Sequence, residues 1–214
     1  FSKSSILAFN SAAATDQDIS VVATADGYGT IQVDDISGGA AAEAVTLSGG
    51  DIGTNTVRIG AINIGSATSN GALTSIAGDV IFADAMNITG GDATAEESIL
   101  TLAANATVTD GITLTQGAGN AKIISNNDAT ITADITNAGA AAGSSIIAVS
   151  GSSKTTNFLG NVGATGVGTI DLVSVDTASA VFKNNVFATT LSIANAAGDA
   201  TFSGTTAQTL TGAI

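Results

Sequence analysis

From residue 79 to residue 202 one pattern returns six times: a polar residue, two variable residues, then an apolar residue. In five of the six a second apolar residue follows four positions on. The clearest copy is Asp128-Ala129-Thr130-Ile131 with Ile135. Upstream stand Asn105-Ala106-Thr107-Val108 with Ile112, and Asp79-Val80-Ile81-Phe82 with Met86. Downstream stand Thr155-Thr156-Asn157-Phe158 with Val162, Ser179-Ala180-Val181-Phe182 with Val186, and Asp199-Ala200-Thr201-Phe202. The second half divides into units 74–97, 98–121, 122–145, 146–168, 169–190 and 191–214. Five of these open on a further apolar run, such as Ile99-Leu100-Thr101-Leu102 or Ile146-Ile147-Ala148-Val149. Alternation with period two over four or five residues, bounded by Gly, Asn and Asp, predicts short strands. No stretch carries the 3.6-residue period of an amphipathic helix.

Several short strands in each repeat of 20–30 residues predict a solenoid. A strand of four residues is unstable alone. Coiling the chain sets each strand about 4.8 Å above its equivalent, where backbone groups pair along the stack. The expected fold is all-β: a right-handed parallel β-helix, or β-solenoid, of about eight coils with 22–30 residues per coil. It covers 18–214, with 1–17 as an N-terminal cap or linker. Residues 18–43 and 44–73 each hold one longer, looser unit. Eight coils make a rod roughly 40 Å long. Phe82, Val108, Ile131, Phe158, Phe182 and Phe202 should form one internal ladder, and Met86, Ile112, Ile135, Val162 and Val186 a second. Thr107, Thr130 and Thr201 should point outward. An antiparallel β-sandwich is the alternative, since its turn signals also recur at short spacing.

Composition agrees with stacked coils. Apolar residues make up 44% of the chain, enough for a core, while only 11% of residues are charged. There is no Pro, which would remove a ladder N–H from any interior strand. Fifteen of the 18 acidic residues are Asp, a turn former whose short carboxylate bonds nearby backbone N–H groups. The net charge is −13, with five scattered basic residues. That balance argues against nucleic acid and against anionic membrane surfaces as partners. No run of about 18 apolar residues exists, so this segment does not insert in a membrane as a helix. Without Cys or His, disulfides, thiolate metal sites and the usual nucleophilic triads are excluded. The rod's open strand edges lead us to expect a fragment or one part of a larger protein.

Asn157-Phe158-Leu159-Gly160-Asn161-Val162-Gly163-Ala164 and Gly168-Thr169-Ile170-Asp171-Leu172 resemble the passenger-domain repeats of rickettsial-type outer-membrane autotransporters, the surface cell antigens. So do Asp199-Ala200-Thr201-Phe202-Ser203-Gly204 and Leu210-Thr211-Gly212-Ala213-Ile214. The resemblance spans roughly 74–214 and is one of low-complexity repeats. It implies a surface-exposed passenger, carried out by a C-terminal barrel that this chain lacks. It further implies adhesion to host cells or formation of a surface coat. It carries no functional residue onto a position here.

Chemistry-bearing clusters are few. Asp26-Gly27-Tyr28-Gly29 with Asp34 and Asp35 is the best acidic group near a turn, and Ca²⁺ is the ion its oxygens would suit. Its spacing does not match an EF-hand, and a solvated turn is the simpler reading. Asp79, Asn105, Asp128 and Asp199 stand at equivalent positions that also accept Thr155 and Ser179. Side-chain capping of a turn explains all four residue types. Asp92, Glu96 and Glu97 are acidic, but most Phe residues fit the core, leaving no platform for sugar stacking. We therefore expect no enzyme and no catalytic or cofactor-binding residue. The expected function is a structural and adhesive segment of a bacterial cell-surface protein. It would be extracellular and would present an acidic polar surface to a host cell, through loops such as 65–72, 91–98 and 138–145. The alternative is a self-assembling subunit of an extracellular filament or surface layer, with other copies of itself as partners.

Overall fold

A computed structural model describes residues 5–11, 13–15, 19, 26–35, 44–78, 80–139 and 145–214. The chain winds into a parallel β-solenoid of about eight turns. One sheet contains Ile6–Phe9, Tyr28–Val33, Ile59–Ile64, Val80–Thr89, Asn105–Val108, Ala129–Thr132, Thr155–Phe158, Ser179–Phe182 and Asp199–Phe202 in spatial order. The second runs Ala13–Thr15, Ala44–Ser48, Leu73–Ala77, Ser98–Leu102, Ala121–Ser125, Ser145–Val149, Ile170–Val175, Val186–Ile193 and Leu210–Ala213. Every pairing among the described strands is parallel, which excludes the antiparallel sandwich. The one helical element among the described residues is a single 3₁₀ turn, Gly166–Gly168. Of the segment expected as cap or linker, Ile6–Phe9 and Ala13–Thr15 form the first rung of the two sheets.

Each full rung has three faces, called opening, middle and closing after their order in the chain. The ten-residue strand Val80–Thr89 bends through the first corner. Its first half pairs with Asn105–Val108 on the opening face, and its second half with Ile112–Thr115 on the middle face. Earlier rungs reduce the opening face to single bridged residues, Ile19 and Ile52, stacked on Ile81. Rungs there are longer: Thr30 pairs with Ala61, whereas Phe182 pairs with Phe202.

The middle ladder is the one expected. Met86, Ile112, Ile135, Val162 and Val186 are successive partners. The column continues upward through Ile62, Ile31 and Leu7 and downward to Leu210. The opening ladder needs a correction. Ile131, Phe158, Phe182 and Phe202 stack as expected. Above them, however, the column holds Ala106 and Ile81, not Val108 and Phe82. Phe82 turns outward, half-buried, beside Thr107, and Val108 lies inward two residues further along. The cause is corner length. Four residues separate opening and middle apolar positions from Ile131 to Ile135 and from Phe158 to Val162. Five separate Ile81 from Met86, and six separate Ala106 from Ile112. A fixed spacing of four therefore slips the register by one and then by two residues.

Buried Ile, Leu, Val, Ala and Phe from all three faces form one continuous cluster. Phe158, Phe182 and Phe202 stack face to face, with centroids 5.1 and 5.3 Å apart. On the closing face two inward hydroxyls, those of Ser98 and Thr74, have no hydrogen-bond partner among the described residues. Thr74 stands in register with Val45 and Leu100, is 2% exposed, and its Oγ1 has no hydrogen-bond partner. A buried hydroxyl without a partner costs roughly 1–3 kcal/mol. Thr74→Val keeps the branched shape and removes that cost. It should raise stability by about 1 kcal/mol, read as a higher urea midpoint with an unchanged slope.

Candidate functional site

The corner that upsets the opening ladder also makes a surface concavity. Because Ala106 and Ile112 are separated by two residues more than Ile131 and Ile135, Thr109 and Asp110 project as a lip. Below it a groove of about 520 Å³ extends over Thr132–Asp134, Leu159–Gly160 and Asn184. Its walls mix polar and apolar surface, with Leu159 as the exposed apolar side chain at 37%. The lip is held by its own backbone, Thr109 N–H to Ala83 O at 3.1 Å and Asp110 N–H to Asp84 O at 2.7 Å. Arg58 braces it further, donating from Nη1 to Thr109 Oγ1 at 2.6 Å.

Arg58 is the centre of a charge network. Its Nη2 donates to Asp26 Oδ2 at 2.7 Å and its Nε lies 3.0 Å from Asp84 Oδ1. Its backbone N–H also donates to Asp26 Oδ1 at 2.8 Å. Hydrogen bonds from Arg58 hold the Asp26 carboxyl below the ordinary range. Asp84 goes the other way: removal from water pushes its carboxyl up, outweighing the Arg58 guanidinium that Asp26 already engages.

The structure does not gather the acidic group singled out in the sequence. Asp26 and Asp34 flank opposite ends of the strand Tyr28–Val33, on the order of 20 Å apart. Asp34 accepts a hydrogen bond from Ser69 Oγ. Asp35 is buried, and its carbonyl accepts from Asn70 N–H at 3.2 Å. Among the described residues, no three His, Cys, Asp or Glu side chains stand close enough to share a metal ion.

The repeated polar corner behaves as a cap. Asp128 Oδ1 accepts Thr155 N–H of the next rung at 2.9 Å, and Lys154 Nζ pairs with its other oxygen at 3.2 Å. Asn105 Oδ1 accepts Thr130 N–H at 2.8 Å, so it sits two positions off the Asp128 equivalence. Asp79 lies outside the described residues. A second capping ladder escaped the sequence reading. Asp134 Oδ1 accepts Asn161 N–H, Asn161 Oδ1 accepts Asn185 N–H, and Asn185 Oδ1 accepts Thr209 N–H, at 2.6, 3.3 and 2.8 Å. Its signal was available, since each of the four directly precedes a middle-ladder residue: Ile135, Val162, Val186 and Leu210. Of the expected display loops, 91–98 closes on itself through Gly91 N–H to Glu96 O at 2.8 Å. Loop 65–72 is tied to Asp34 and Asp35, and 138–145 lies largely outside the described residues.

These shifted carboxyls set a pH profile. Asp26 and Asp128 titrate below 3.8, Asp128 chiefly through the Thr155 N–H. Their stabilisation is complete above the unfolded value near 3.9 and is lost as pH falls through the lowered values. Asp84 titrates above 3.8 and Glu96 above 4.5, Glu96 because it shares a hydrogen bond with Asp92. Folding gains as pH falls through those raised values, and the charge of −13 shrinks as well. The thermal midpoint should therefore rise from pH 7 toward about 5 and fall below about 3.5. A midpoint that drops steadily from pH 7, followed by circular dichroism, would contradict this.

No protein family matches the chain, and neither a curated protein nor a solved structure does. What the fold establishes is the class, a parallel β-solenoid.

Proposed function

We propose that this chain is a non-catalytic display segment of a bacterial cell-surface protein, a stiff acidic rod that attaches to a host cell or other surface along its flank. The observation that carries the reading is how the polar corners are used. Asp128, Asp134, Asn161 and Asn185 bond the backbone of the next rung, so their chemistry goes into holding coils together. A rod built this way keeps its shape while its lateral surface, including the Thr109–Asp110 lip and groove, is free to meet a partner. The resemblance of 74–214 to autotransporter passengers supports the same reading. Labelled chain should bind host epithelial cells saturably, be displaced by unlabelled chain, and bind less after Asp110→Lys. Non-saturable binding, or turnover of polyuronates by the purified chain, would overturn it.

A second reading, a self-assembling filament or surface-layer subunit, draws on the edge of the Asp199–Phe202 rung. There Phe202 remains 37% exposed above Phe182. Concentration-dependent growth of rods in solution would favour it.

A further inference from the structure

The closing face carries large apolar side chains on both sides. Inward it supplies core. Outward, Leu73, Ile99, Lys122, Ile146 and Leu172 are successive partners in one half-buried row. A neighbouring outward row is uncharged and small, Ser and Thr around Ile124 and Ala148, and a groove of about 300 Å³ runs over its upper part. Strands that are apolar on both faces are ordinarily covered on both. Charge is segregated to match. In a chain of net charge −13, these rows carry only Lys122, with Asp171 beside Leu172. Lys122 has no ion-pair partner among the described residues.

We infer that this face is a self-association surface, on which two copies pack antiparallel about a two-fold axis lying along the strands between the Lys122 and Ile146 rungs. The occupant follows from self-complementarity. A two-fold along the rod would set Lys122 against Lys122. A two-fold along the strands sets Ile99 opposite Leu172 twice, and lets each Lys122 extend toward Asp171 of the other copy, one rung further on, a carboxylate that also accepts from Ser145 N–H and Oγ of its own chain. The corner carboxylates then lie outside the contact. Eight rungs of five-residue strands measure about 34 by 16 Å, so the pair covers about 1,100 Å² in all. That is the lower end of specific interfaces, the range of weak, reversible association. Long-range repulsion between two acidic rods opposes it, so salt should strengthen it. The inference stands apart from the display reading, because a paired rod still has two free faces.

Sedimentation equilibrium of the whole chain at about 5–500 μM, in 50 and 500 mM NaCl, tests it. The expected result is a monomer–dimer equilibrium severalfold tighter at the higher salt. Ile99→Glu and Lys122→Glu, both outward and checked by circular dichroism, should each weaken it about tenfold or more. The chain has no Cys, so single spin labels report the geometry cleanly. A label at Ile146→Cys should lie near its copy and broaden strongly, while one at Leu73→Cys should lie about 25 Å from its copy. A monomer at every concentration and salt overturns the proposal. So does a dimer indifferent to Ile99→Glu, or one in which the residue 73 labels are the close pair.

Discussion

Phe182→Ala should lower stability by about 3–5 kcal/mol, the range for emptying a buried aromatic site. Phe182 is 1% exposed and lies between Phe158 and Phe202, with ring centroids 5.1 and 5.3 Å away. Truncation leaves a cavity between rungs whose backbones are fixed by the ladder, so collapse cannot fill it. It also removes two stacked pairs, each contributing about 0.5–1.5 kcal/mol beyond area. Because a solenoid rung touches only its neighbours, the damage is local. The rungs after residue 179 should detach first, splitting the urea transition or lowering its slope. Phe202→Ala is the control. Its ring is partly exposed, and its loss should cost clearly less. Equal costs for the two would refute the assignment of Phe182 to an interior rung.

Gly163→Ala should cost at least about 3 kcal/mol, for two separable reasons. Gly163 has φ +80°, a left-handed conformation that costs a residue with a Cβ about 1–2 kcal/mol. An added Cβ would also lie 2.0 Å from Phe187 O and 3.0 Å from its carbonyl carbon, both backbone atoms of the next rung. Neither side can yield easily. Gly163 N–H is bonded to Ile135 O at 2.6 Å, and Phe187 N–H to Val162 O at 2.7 Å. Gly166 provides the comparison. Its φ is +72°, yet nothing lies within 4 Å of its Cβ position. Gly166→Ala should show the conformational cost alone, about 1–2 kcal/mol. If the two variants unfold at the same urea concentration, the contact with the next rung is not what constrains Gly163.

The outward apolar row shows where sequence reading runs short. Ile146-Ile147-Ala148-Val149 is visibly a strand, but an unbroken apolar run does not say which side faces the core. Only the register does, burying Ile147 and Val149 and leaving Ile146 and Ala148 outside. The Arg58 network was equally hidden. Asp26, Arg58, Asp84 and Thr109 are separated by 25 or more residues along the chain and meet only because rungs stack.

The order of apolar and polar residues determined the strand class, the repeat length and the middle ladder from Met86 to Val186. Those features follow from local alternation and a recurring, slightly variable interval, both of which can be read along one dimension. Tertiary structure decided the rest. Corner lengths of four, five or six residues set whether Ile81 or Phe82 enters the core, and a slip of one residue reverses which side faces inward. Pairing between rungs, not adjacency in the chain, put Asp26 with Arg58 and away from Asp34, and aligned Leu73, Ile99, Ile146 and Leu172 into one face.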